Sequence, residues 1–282
     1  MDVYRFHPRI DSSVLGCILT GFAKGGTTLL KDVVVQTTDM IGRFEGGLLM
    51  AESPGEGIPE PFATNLQEAW QTGPGFFERY RECATFEEGY RLLRGSSEKL
   101  PNHDAPLVDK APQYLVHLAD VMRRAPGTPL VVVVRDPVHV AVSWVDLDNT
   151  LDGTVSWIAS AAESLLDAID REHLPSPLYV VNFADLLDDI DATMAPLHAW
   201  LGRPHRRMRA NVRCGLPYVQ AGRWRLPRAI ETDRHDIERR CPPDRLAEIR
   251  SLVREGVPGA ERLATIRSGP VGRSAAAMGR AA

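Results

Sequence analysis

Residues 20–30 read TGFAKGGTTLL. An apolar run, SVLGCILTGF (13–22), leads into this stretch, and TTLLKDVVVQTT (27–38) leads out of it. The first has the length and composition of a buried strand, and the second has helical length. A glycine-rich turn between strand and helix places unpaired N–H groups at the helix start, where they attract phosphate-like anions. Gly25 and Gly26 let the backbone wrap closely round such a group, with Ala23 and Lys24 on the approach. Thr27 and Thr28 add hydroxyl donors, or serve as simple helix caps. Lys24 adds a compact mobile charge. The spacing excludes a nucleotide-triphosphate loop of the form G-x-x-x-x-G-K-[ST], because the lysine here precedes the glycine pair.

Working outward, APLVDKAPQYLVHLADVMRRAPG holds a short strand at 106–109 and a helix ending near Arg124. TPLVVVVRDP (128–137) is a strand closed by a turn, and Pro137 suits the first position of the next helix. Residues 154–173 pattern as an amphipathic helix and 176–183 as another buried strand. FFERYRECATFEEGYRLLRG (76–95) returns to helical patterning. Residues 51–75 are rich in Gly and Pro and read as an irregular excursion. Short apolar strands alternating with helices predict an α/β fold, a single domain with a central parallel sheet flanked by helices. Ligands bind such sheets beyond the carboxyl ends of the strands. Gly21, Arg135 and Phe183 all fall there.

The 282 residues carry a net charge of -4, which argues against general nucleic-acid binding, and 44% are hydrophobic, enough for a sizeable core. Four cysteines stand apart with no C-x-x-C pair, so neither a disulfide frame nor a zinc site is expected, and no other metal cluster is evident. No run of about 18 apolar residues occurs, so no membrane anchor is expected. A cytoplasmic enzyme is the expectation. Only four lysines occur, Lys24, Lys31, Lys99 and Lys110, against 29 arginines, yet the loop keeps a lysine.

GFAKGGTTLL resembles the 5′-phosphosulfate loop of the sulfotransferases that use 3′-phosphoadenosine 5′-phosphosulfate (PAPS), whose usual form is G-x-x-K-[SG]-G-T-[TR]-x-L. VVVVRDPVHVAVSWVDL is similar to their second signature, with Arg135 at the strand end and Ser143 eight residues on. KAPQYL (110–115) is similar to the K-[ST]-P-x-Y-L of the carbohydrate-type members, VVNFADLLDDIDATMAPLHAWLG to their strand–helix element, and GRWR (222–225) to the late basic loop over the nucleotide. The resemblance implies a P-loop-like fold, a sulfotransferase domain over 1–266 and a flexible tail over 267–282. It implies PAPS as donor, adenosine 3′,5′-bisphosphate as product, and a small-molecule or carbohydrate acceptor. Lys24 would stabilise charge on the leaving oxygen, Thr27 and Thr28 would hold the 5′-phosphate, and Arg135 with Ser143 would hold the 3′-phosphate. Arg223 and Trp224 would close over the nucleotide.

The base is less direct. The K-T-H histidine of the cytosolic members is missing here, since Lys110-Ala111-Pro112 stands in its place. RFEGGLLM puts Glu45 in a setting similar to the glutamate of heparan-type members, and Glu45 is the expected base. His103, Glu52 and Asp109 are the reserves. Acceptor choice is expected in 45–106 and in the helices after 145. Phe44, Trp70, Phe76, Phe77, Tyr80 and Trp144 are available either to line a pocket or to fill the core. A nucleotide-dependent phosphotransferase and a non-catalytic nucleotide-binding module are the alternative readings.

Overall fold

The computed structural model describes residues 7–145, 150–208 and 241–271, and the backbone of four short strands between 213 and 229. Those four pair as two small antiparallel ribbons, Arg213–Cys214 with Arg228–Ala229 and Tyr218–Gln220 with Arg223–Arg225. The main body is a five-stranded sheet. Its parallel strands are β1 (Leu15–Gly21), β2 (Leu107–Lys110), β3 (Leu130–Val134) and β4 (Leu178–Asn182), in the spatial order β2-β1-β3-β4. A short antiparallel strand, Gly269–Val271, closes the far edge against β4. Within the segment expected as a tail, residues 269–271 pair with Leu178–Val180 and Ser268 bonds to Asn182 and Asp185, and residues 272–282 lie outside the described residues.

The valine run reads as a strand because both faces are covered. Alternate side chains of a strand point to opposite faces. Leu130, Val132 and Val134 join one apolar cluster, while Val131 and Val133 join the other. A strand buried on both sides has no polar positions to spare, which is why LVVVV shows no alternation. On one face pack α1 (Thr27–Thr37) and later α9 (Ile190–Trp200), through Leu30, Val33, Val34, Met194 and Leu197. On the other pack α5 (Leu118–Arg124) and α7 (Leu151–Asp170), through Val121, Met122, Ile158 and Leu165.

The 51–75 excursion contains α2 (Phe62–Glu68). The helical patterning over 76–95 resolves into two helices, α3 (Phe76–Glu82) and α4 (Phe86–Ser96). The break has a local cause. The Thr85 hydroxyl accepts the Glu88 N–H at 3.2 Å, and the Glu88 carboxylate accepts the Ala84 N–H at 2.7 Å. This near capping box starts a fresh helix at Phe86. Two further helices, α6 (Pro137–Val145) and α8 (Phe183–Asp188), follow the carboxyl ends of β3 and β4. Among the described residues no helix is long and apolar enough to cross a membrane.

β1 lies between β2 and β3, so the chain leaves it in one direction and returns on the other side. That makes the crevice between the ends of β1 and β3 the topological switch point of the sheet. Its position depends on the β1–β3–β4 core. Leu130, fully buried, is level with Ile18 on β1 and Leu178 on β4. Leu130→Ala should lower stability by about 2–5 kcal/mol in urea unfolding, the usual cost of a buried leucine cavity. A loss under about 1 kcal/mol would mean that the sheet centre is not packed as described.

Candidate active site

The turn after β1 is built to expose its amides. Gly25 N–H closes a tight turn onto Phe22 C=O at 2.7 Å. Lys24 sits at φ 64°, a left-handed conformation that costs a residue with a Cβ roughly 1–2 kcal/mol. Gly26 follows at φ 100° and caps α1. Being glycine it offers no side-chain acceptor, and the first turn of α1 contains no acid. α4, α7, α8 and α9, in contrast, begin with side-chain caps from Thr85, Thr150, Asn182 and Asp189. A Cβ on Gly26 would stand 2.3 Å from the Phe183 ring, so a glycine there lets the loop lie against the end of β4.

Arg135 leaves the end of β3 and turns into the switch point. Its Nη1 donates to Lys24 C=O at 3.1 Å, and its guanidinium lies 4.9 Å from the Phe183 ring centroid. Residues that follow β1, β3 and β4 thus meet in one cluster of Lys24, Arg135 and Phe183. Ser143 lies half-buried on α6, two turns beyond Arg135. Strand Arg223–Arg225 is present as backbone, but the side chains of Arg223 and Trp224 lie outside the described residues.

A second cluster lies beside the first turn of α1. Lys110, at the end of β2, has a fully buried side chain. Its ammonium donates to Glu45 Oε1 at 3.0 Å and to Thr28 Oγ1 at 3.3 Å, and lies 4.6 Å from the Phe44 ring centroid. Burial pushes the Lys110 pKa down, and the Glu45 carboxylate opposes that shift. Lys31 is buried on α1 close enough to add a further downward push, and is itself bonded to Asp32. Glu45 is thereby tied to the anion-seeking helix start through one side chain. A buried ammonium is tolerable only with such partners.

Of the reserve bases, His103 and Glu52 make their contacts elsewhere, while Asp109 adjoins Lys110 on β2. His103 is exposed and bonds to Arg94 C=O at 2.6 Å. It precedes β2, so it sits by the amino ends of the parallel strands, opposite the Gly21 turn. That placement corrects its candidacy. Glu52 pairs with Arg123 at 2.6 Å and with Arg124, and the Arg123 hydrogen bond above all holds its carboxyl below the ordinary range. Asp109 is completely buried, and burial pushes its carboxyl above the ordinary range against the hydrogen bonds of Tyr114 and Tyr90. Trp70, Phe76 and Tyr80 are core, whereas Phe44, Phe77 and Trp144 keep part of their surface.

A sequence model described as "Sulfotransferase family" matches residues 17–207. The chain belongs to the sulfotransferase family. A comparison with curated protein sequences gives no significant match. Among solved structures, one similar chain is a sulfotransferase from Alicyclobacillus acidocaldarius. The two are 18% identical, the match spans 89% of this chain and 95% of that one, and the TM-score is 0.47.

Lys110 is the residue of this sulfotransferase that the sequence reading passed over. Its signal was the scarcity of lysine. Of four lysines, Lys24, Lys31 and Lys110 gather at one end of the sheet. The turn itself can be tested directly. Gly26→Ala forces a Cβ into the Phe183 ring at a positive φ, so the amides must move. Affinity for adenosine 3′,5′-bisphosphate should fall by more than about tenfold while the far-ultraviolet dichroism is retained. Unchanged affinity would show that the helix start does not hold the ligand.

Proposed function

We propose that this sulfotransferase moves a sulfuryl group from PAPS to a hydroxyl of a small-molecule or carbohydrate acceptor. The observation that carries the reading is the arrangement around the start of α1. The glycine-capped amides of α1 follow directly on Lys24, and Glu45 is tied to Thr28, in the first turn of the same helix, through Lys110. That arrangement suits a reaction in which negative charge builds on one oxygen while a proton leaves another.

PAPS supplies an activated sulfur whose bond to the 5′-phosphate oxygen breaks as the acceptor oxygen bonds to it. The protein has three tasks in that exchange. The α1 amides with Thr27 and Thr28 hold the 5′-phosphate. Lys24 meets the charge left on the phosphate oxygen, the kind of preorganised contact that favours the transition state over the ground state. Glu45 takes the acceptor proton. Its Oε1 is engaged by Lys110, leaving Oε2 for that proton, and Lys110 fixes the rotamer. Arg135 and Ser143 are assigned to the 3′-phosphate, and Arg223 and Trp224 to the closing loop.

Two substitutions separate donor binding from proton transfer. Arg135→Ala should weaken adenosine 3′,5′-bisphosphate far more than AMP, which lacks the 3′-phosphate. One charge-assisted contact is worth about 1.5–3 kcal/mol. Equal weakening of both ligands in calorimetry would remove Arg135 from the 3′-phosphate. Glu45→Gln keeps the shape and removes the basicity. Sulfuryl transfer should drop by about 10²–10⁴-fold with donor affinity nearly unchanged. A variant within about threefold of wild type would end the assignment of Glu45 as base.

A further inference from the structure

The segment that carries Glu45 runs along the open edge of β2. Ile41 is paired in parallel with Leu107, and its C=O accepts the Val108 N–H at 2.7 Å. Adjacent strand residues point to opposite faces. The last two residues of β2 therefore meet the segment on two sides. Lys110 takes the Glu45 carboxylate, and Asp109 lies against the two glycines that follow it. A Cβ on Gly46 would stand 2.6 Å from Asp109 Oδ1, a contact only glycine avoids. The N–H groups of Gly46 and Gly47 face the same carboxylate and favour its charge, although Oδ1 closes no full hydrogen bond. Tyr90 and Tyr114 each donate to Oδ2, at 2.5 and 2.6 Å.

Tyr114 and a further tyrosine, Tyr80, reach the segment beyond. Tyr114 oxygen accepts the Leu49 N–H at 3.2 Å, and Tyr80 donates to Leu48 C=O at 3.2 Å. Arg124 Nη1 donates to Leu49 C=O at 2.7 Å. On the near side, Trp70 Nε1 donates to Phe44 C=O. The backbone near Glu45 is thus anchored by buried side chains, Trp70 before it and Tyr114, Tyr80 and Arg124 after it. A fully buried carboxylate is costly unless its hydrogen bonds repay the lost hydration. A core that only needed filling would hold an apolar residue at 109.

We propose that Asp109, together with Tyr90 and Tyr114, is a positioning residue that holds the Gly46-Gly47 backbone so that the Glu45 carboxylate meets Lys110 in the geometry for proton transfer. Asp109 acts through Glu45 and does not touch the acceptor. The inference rests on the sulfuryl-transfer reading.

The test is a double-mutant cycle in the full chain. Asp109→Asn keeps the volume but brings an amide N–H toward either the glycine amides or the tyrosine hydroxyls. It should lower kcat by about 10–100-fold, since misplacing a reacting group by an ångström costs about that much. The Kd for adenosine 3′,5′-bisphosphate should stay within about twofold, because Lys24–Thr28 are untouched. Amide hydrogen exchange should quicken over 46–49 and not over 24–30. In the Glu45→Gln background, Asp109→Asn should cost less than about twofold more, because the group it positions is gone. Tyr90→Phe removes one donor with little change in packing, and it should show a smaller loss in the same non-additive pattern if Asp109→Asn fails to fold. Two results would overturn the proposal: wild-type kcat in a variant whose 46–49 amides exchange faster, or a loss that multiplies in full with Glu45→Gln. Faster exchange in a chain whose wild type transfers no sulfuryl group would keep the clamp and overturn the reaction assigned above.

Discussion

Everything at the functional end of this protein depends on how α1 begins. A helix leaves its first N–H groups without intrahelical acceptors, which a capping side chain can satisfy, as in α4, α7, α8 and α9. α1 begins instead with a glycine and has no acid in its first turn. In the proposed reaction the positive end of its dipole takes the donor's phosphate. The α1 start lies at the switch point of the sheet, where Arg135 and Phe183 close in from the ends of β3 and β4. Even the strained backbone of Lys24 has its place in this scheme, since its carbonyl is held by Arg135.

Charge placement follows from the same constraint. Any cation at this end must coexist with a buried environment on the β2 side. Lys110 has no exposed side-chain surface, and it is bearable because Glu45 and Thr28 accept from it. A compact ammonium can serve both acceptors from one point, whereas a planar guanidinium would need a wider, flatter set of partners. This accounts for lysines persisting here in a chain that uses arginine almost everywhere else. The arginines are put to other work, such as the paired hold of Arg123 and Arg124 on Glu52.

Much of the fold was legible because its signals are local. The run at 130–134 is apolar without alternation, which suits a strand covered on both faces, and Gly25-Gly26 between β1 and α1 announces a turn. Glu45 could be singled out by its neighbours in the sequence. The remainder depends on tertiary contact. The break between α3 and α4 rests on Thr85 and Glu88, a cap that a continuous apolar pattern hides. The edge strand at 269–271 is too short to show a period and exists because β4 has a free edge. His103 looked available because histidine is a common base, but a residue just before a parallel strand lies at its amino end. The ties of Lys110 to Glu45 and of Asp109 to the glycine pair were hidden for the opposite reason. Each of the two is an ordinary polar residue in sequence, and its meaning comes from a partner 65 residues away in one case and from two tyrosines and a glycine pair in the other.

The central claim is that the turn between β1 and α1 holds the phosphate of a 3′-phosphorylated adenine nucleotide. Calorimetric titration of the wild-type chain with adenosine 3′,5′-bisphosphate, AMP and magnesium ATP tests it most directly. The account predicts that the bisphosphate binds at least about tenfold tighter than AMP, as one added charge-assisted contact requires, and that it does so without added magnesium. Tighter binding of magnesium ATP than of the bisphosphate would contradict it.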